Sequence, residues 1–215
     1  MSKGNLSSDS GISDVSTVAT EPPLTIADLI SHREWSLLEN LLRSSDPVLI
    51  DDPALAEHAI TEHSILHFAM RFQAPLRIVA LLSELYPSSV SSSDASGRYP
   101  IHVACKWSAT PDVIKYLVQK NPSACGVQDH FGKTPMHYVA EFYPDAYQPP
   151  LETLYLYPMD DSMLLVVKLL RSAAPTSVNL EDNEGCNAIE YALKNHVSPK
   201  VIESMQRGLD PAAGL

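Results

Sequence analysis

Apolar residues recur along the chain with helical spacing, and the helices they predict come in pairs. Ile26, Leu29 and Ile30 make one stripe, and Trp35, Leu37, Leu38, Leu41 and Leu42 make the next. Thr25 stands before the first stripe with Asp28 three residues on, the spacing in which two side chains cap each other's backbone N–H. Pro47 is the predicted stop. A later pair shows the same pattern more fully. Tyr99-Pro100 opens a helix with proline in the first turn, where its missing N–H costs nothing, and Ile101 and Ala104 face inward. Thr110-Pro111-Asp112 opens a second helix as N-cap, N1 proline and an acid near the positive dipole end. Val113, Ile114 and Leu117 form its stripe, and Asn121-Pro122 closes it, with Asn121 expected in the left-handed conformation.

These pairs are copies of one unit. Ser64-Ile65-Leu66-His67-Phe68-Ala69, Tyr99-Pro100-Ile101-His102-Val103-Ala104 and Thr134-Pro135-Met136-His137-Tyr138-Val139 follow one another at a step of 35 residues. Leu82 and Leu117, Pro87 and Pro122, Asp94 and Asp129, and Gly97 and Gly132 keep that step. A fourth copy follows after 53 residues, in which Pro175, Asp182, Gly185 and Glu190 answer to Pro122, Asp129, Gly132 and His137. The excess of 18 residues is an insertion between His137 and Leu170.

Gly132-Lys133-Thr134-Pro135-Met136-His137 is close to a G-x-T-P-L-H signature, and Asp94 and Asp129 head D-x-x-G turns. On these residues the chain resembles the ankyrin-repeat family over roughly 62–206. The resemblance implies an all-α solenoid of helix-turn-helix units joined by hairpin-like loops. The expected organisation is a Ser-rich tail without structure at 1–23, a helical cap or degenerate repeat at 24–60, four repeats at 61–206 with an insertion at about 142–161, and a C-terminal tail at 207–215. The chain departs from the family in having Pro87, Pro122 and Pro175 where a glycine usually follows the second helix, Glu62 for a glycine, and Glu190 for the histidine.

The resemblance also implies a role for His67, His102 and His137, in which each imidazole bonds to backbone of the neighbouring hairpin. A shared metal is disfavoured by geometry, since stacked helices lie about 8–10 Å apart and a zinc ligand must approach to about 2 Å. No nucleophile motif, phosphate-binding loop or dinucleotide fingerprint is present, so neither catalysis nor a cofactor is expected. The expected function is non-catalytic binding of another protein through the concave face and hairpin loops, by a monomer. Matching the family's binding positions gives Ala95, Ser96 and Arg98, then His130, Phe131 and Lys133, on the hairpins. Arg71 with Phe72, Lys106 with Trp107, and Glu141 with Phe142 follow on the first helices.

Charge and composition narrow the partner. The 26 acidic and 15 basic residues give a net charge of −11, which opposes nucleic-acid binding. Cys105, Cys125 and Cys186 lack metal or disulfide spacing and read as free thiols, so a cytoplasmic or nuclear location is expected. No apolar run is long enough to span a membrane. The insertion, read as Phe142 to Asp161, carries Tyr143, Tyr147, Tyr155 and Tyr157 without lysine or arginine. It either touches a partner or packs on its own repeat. The following helix is predicted over Met163–Arg171, capped by Asp161 or Ser162. Finally, Asp9-Ser10-Gly11-Ile12-Ser13-Asp14 resembles a D-S-G-x-x-S phosphodegron with Asp14 in the second serine's place. An alternative function follows: a regulatory inhibitor or ubiquitin-ligase substrate adaptor, similar to the inhibitors of NF-κB-type factors, with turnover set by tail phosphorylation.

Overall fold

The computed structural model describes residues 25–44, 64–146 and 159–207, with side chains of 144–146 and 159–160 excepted. The described residues are helical, without strands. Among the described residues ten α-helices form five successive pairs: α1 (Ile26–Ser31) and α2 (Trp35–Arg43), α3 (Ile65–Arg71) and α4 (Leu76–Leu85), α5 (Pro100–Lys106) and α6 (Pro111–Lys120), α7 (Pro135–Ala146) and α8 (Met159–Ala173), α9 (Ala188–Lys194) and α10 (Pro199–Gln206). First helices α3, α5, α7 and α9 pack in sequence as one layer, and second helices α2, α4, α6, α8 and α10 as another. One apolar core, from Ile26 to Met205, runs between the layers.

Local chemistry explains the helix starts. Thr25 Oγ1 accepts from the Asp28 N–H at 3.0 Å, and Asp28 Oδ2 accepts from the Thr25 N–H at 3.1 Å. Proline occupies N1 or N2 of α5, α6 and α10. Thr110 holds the N-cap position of α6 without a side-chain cap bond, so there proline geometry and the acidic Asp112 act instead.

The exits from the second helices differ from expectation. Asn121 is not left-handed but extended, at φ −143° and ψ 77°, and Tyr86 and Ala174 share this shape. Each precedes a proline, whose ring excludes the helical region for the residue before it. The chain then enters a 3-10 turn, at Pro87–Val90, Pro122–Gly126 and Pro175–Asn179. The left-handed conformation appears elsewhere, between the two helices of a pair. Arg33, Gln73, Ser108 and His196 have φ of 58°, 58°, 52° and 54°.

The third unit breaks this turn. Position 143, in register with Ser108 and His196, lies inside α7, which continues to Ala146. The insertion therefore does not begin as a loop at Phe142; residues 147–158 separate the two helices. Helix α8 begins at Met159, four residues before the expected start. Asp161 and Ser162 are within its first turn, where Asp161 pairs with Lys200 at 3.1 Å and Ser162 is buried.

Candidate functional site

Each hairpin is built around a buried or half-buried aspartate. Asp94 Oδ1 accepts from the N–H groups of Ser96 and Arg98, Asp129 Oδ1 from Phe131 and Lys133, and Asp182 Oδ1 from Glu184 and Cys186. Gly97, Gly132 and Gly185 close these turns at φ near +77°, where any side chain is strained. The second carboxylate oxygen meets a different donor in each case. It takes the Arg98 guanidinium at Asp94, the Tyr138 hydroxyl at 2.6 Å at Asp129, and the Tyr191 hydroxyl at 2.7 Å at Asp182. Burial raises the Asp94 pKa, but the Arg98 side chain and the two backbone bonds outweigh it and hold the carboxyl below its ordinary range.

Hairpins stack through backbone. His130 N–H donates to Ser96 O at 2.9 Å, and Asn183 N–H to Phe131 O at 3.0 Å. Histidines cross between the helices and the next hairpin. His67 Nε2 lies 2.7 Å from Arg98 O, His102 Nε2 3.0 Å from Val127 O, and His137 Nε2 3.2 Å from Cys186 O. The other nitrogen of His102 accepts from Tyr99 N–H, and that of His137 from Thr134 N–H. A backbone N–H only donates and a carbonyl only accepts, so both rings are neutral with the proton on Nε2. Burial pushes the His102 imidazole down to about 4, against the opposing pull of the Val127 carbonyl and of Asp129. In the last unit Glu190 replaces the histidine and caps Asn187 N–H at 2.7 Å, while Asn187 Oδ1 caps the N–H groups of Ile189 and Glu190.

The first-helix ends carry the column Phe72, Trp107 and Phe142. Phe72 and Phe142 are half-buried against the core, and Trp107 is 37% exposed. Cations of one unit stand over rings of the next. The Arg71 guanidinium carbon is 5.9 Å from the Trp107 ring centre, and Lys106 Nζ is 5.3 Å from Phe142 and 5.7 Å from Tyr138. Gln73 Nε2 donates to Trp107 O at 2.8 Å, which ties this edge together.

The sequence-derived positions therefore fall into distinct groups. Arg71, Trp107, His130 and Phe131 are exposed, Phe131 at 55%. Ser96 is half-buried, with its carbonyl taken by His130. Arg98 is engaged with Asp94 at 2.7 Å. Lys133 is bound to Glu141 at 2.6 Å, lies 4.0 Å from Asp182 and sits 4.6 Å over the Tyr191 ring. Its ammonium is thereby occupied within the stack. Tyr143 is a correction: it is wholly buried, because α7 continues through it and turns it into the core, so it offers no surface to a partner. Tyr147 and the Ser10 region lie outside the described residues. No sequence motif marks Tyr138 and Tyr191, though each follows its hairpin aspartate by nine residues. None marks Gln73 either, whose carbonyl partner is set by the stacking.

Among the described residues no cluster of His, Cys, Asp or Glu is arranged to hold a metal, and no helix is long and apolar enough to cross a membrane. A search of curated proteins finds no match. The family model described as ankyrin repeats (many copies) matches residues 81–139. Residues 81–139 are ankyrin repeats, and the described helix pairs on either side stack in the same two layers.

Proposed function

We propose that the chain is a non-catalytic scaffold that binds a partner protein across its first-helix face and hairpin loops. The observation that carries this reading is the exposure of two aromatics, Trp107 at the end of a first helix and Phe131 on a hairpin. Large rigid rings that remain in water contribute most to binding when a partner covers them. The charged groups around them, Arg98, Lys133 and Glu141, are already paired, so they form a rigid rim and do not compete for the partner. Ankyrin repeats generally serve as protein-binding modules, which agrees with this assignment, as does the acidic net charge of −11 that disfavours nucleic acid.

Photo-crosslinking tests the proposal. A benzophenone amino acid placed at position 107 or 131 is expected to capture the same cellular protein, and one placed at the exposed outer-helix position 115 is expected to capture none of it. Crosslinks to that protein from position 115 alone would move the site to the opposite layer.

A further inference from the structure

We propose that the strip formed by Arg71, Lys106 and Trp107 takes an extended acidic segment of the partner, with carboxylates three residues apart. This rests on the reading that the first-helix face binds protein, and it adds the chemistry of the ligand.

Arg71 and Lys106 lie in the last turns of α3 and α5, where the helix dipole favours a cation. The dipole accounts for their charge but not for their placement over rings of the next unit. In a chain with 26 acidic and 15 basic residues, Arg77, Arg98, Lys133 and Lys200 each meet a carboxylate. Among the described residues Arg71 and Lys106 meet none, which is equally true of Lys115, Lys120 and Lys168; what sets the two apart is that each rests on an aromatic ring of the next unit. A ring attracts the cation's charge while leaving N–H donors available for a charge-assisted bond. Burial already lowers the Lys106 pKa, with Arg98 adding to the effect and Glu141 opposing it. An incoming carboxylate relieves that cost.

Spacing sets the register of the ligand. Neighbouring packed helices lie about 8–10 Å apart. A segment in the extended polyproline II conformation advances about 3.1 Å per residue with three residues per turn, so residues three apart share one face and span about one repeat. Acids at i and i+3 then meet consecutive cations, and the residues between them pass over Trp107. The third unit ends the strip. Glu141 stands in register with Arg71 and Lys106 and is held by Lys133, so it repels a further acid. Glu141 lies five residues before the end of the lengthened α7, away from the last turn where a cation is favoured.

Fluorescence anisotropy on the full chain tests this with labelled synthetic peptides of the form Asp-x-x-Asp, x being apolar and the flanks Gly-Ser. Peptides with Lys-x-x-Lys and with adjacent aspartates are the comparators. Asp-x-x-Asp peptides are expected to bind best, and to weaken as salt rises. Arg71→Glu combined with Lys106→Glu is expected to weaken them by about tenfold or more. Lys115→Glu with Lys120→Glu makes the same change in net charge on α6 and is expected to leave binding intact. Thermal melts report whether each variant folds, and the Arg71→Gln, Lys106→Gln pair replaces the Glu pair if that pair melts early. The proposal is overturned if no acidic peptide binds, if basic or adjacent-acid peptides bind equally, or if the strip variants bind as the parent does. Apolar peptides that bind without acids and are lost on Trp107→Ala would overturn the acidic ligand while leaving the binding face standing. Loss of the face itself shows separately, in the crosslinking.

Discussion

The Tyr138 hydroxyl donates to Asp129 Oδ2 across 2.6 Å, and both groups are buried. Asp129 spends its other oxygen on two backbone N–H groups, so the tyrosine is the partner that satisfies the remaining one. The link joins the start of α7 to the hairpin before it, and Tyr191 repeats it on Asp182 at 2.7 Å. Phenylalanine at position 138 would keep the ring and strand a desolvated carboxylate oxygen. Tyr138→Phe is expected to cost about 1–3 kcal/mol, read from urea unfolding. A change below about 0.5 kcal/mol would show that water replaces the hydroxyl.

Acid should destabilise the stack before carboxylates titrate. The ordinary histidine value is 6.5, and burial holds folded His102 at about 4. The unfolded chain therefore takes up the proton first as pH falls. The stability contributed by neutral His102 is complete above about 6.5 and is lost progressively toward about 4, on the order of 3 kcal/mol in all. His137 is lowered by burial too and acts in the same sense. Geometry acts in the same direction as burial, because a protonated Nδ1 would point a hydrogen at the Tyr99 N–H. Unfolding free energy measured from pH 7 to 4 should fall steeply for the parent and less steeply for His102→Gln. Parallel curves would refute the assignment.

The helix pairs were legible because the 35-residue step repeats apolar stripes, prolines and hairpin glycines together, and each is a local constraint. What escaped the sequence depends on neighbours. The reach of α7 through Tyr143 replaces a turn whose other occupants, Arg33, Gln73, Ser108 and His196, share no side-chain type. Asn121 invited a left-handed reading, yet the proline after it dictated an extended one. The column Phe72, Trp107, Phe142 was visible as spacing. Its unequal exposure was not, because it depends on neighbouring units, as with the cations that the preceding unit sets over Trp107 and Phe142.

Three hairpin glycines share one conformation but not one environment. A Cβ at Gly132 would stand 2.7 Å from both the backbone nitrogen and Oδ1 of Asn183. At Gly97 it would meet the His130 ring at 2.8 Å, an exposed side chain able to move. At Gly185 it would meet nothing within 4 Å. Gly185→Ala should therefore cost only the left-handed strain, about 1–2 kcal/mol. Gly97→Ala should cost more and Gly132→Ala most, since a clash with backbone forces two hairpins apart. Denaturant midpoints of the three variants check the order, and equal losses would mean that hairpin stacking adds nothing.

Ser108 and Gln73 occupy the same left-handed turn position in successive units, at φ 52° and 58°. Both carry the conformational cost of a non-glycine residue there, about 1–2 kcal/mol. Gln73 recovers part of it by donating to Trp107 O. Ser108 is buried, and its hydroxyl has no hydrogen-bond partner among the described residues. Ser108→Gly thus removes strain and an unsatisfied polar group together, opposed by the greater freedom of glycine in the unfolded chain. It should stabilise the protein by about 1 kcal/mol. Gln73→Gly relieves the same strain but loses the bond between units, so it should be near neutral or destabilising. Thermal melts of the two variants separate the cases, and a lower melting temperature for Ser108→Gly would show that the buried hydroxyl contributes a bond to the turn.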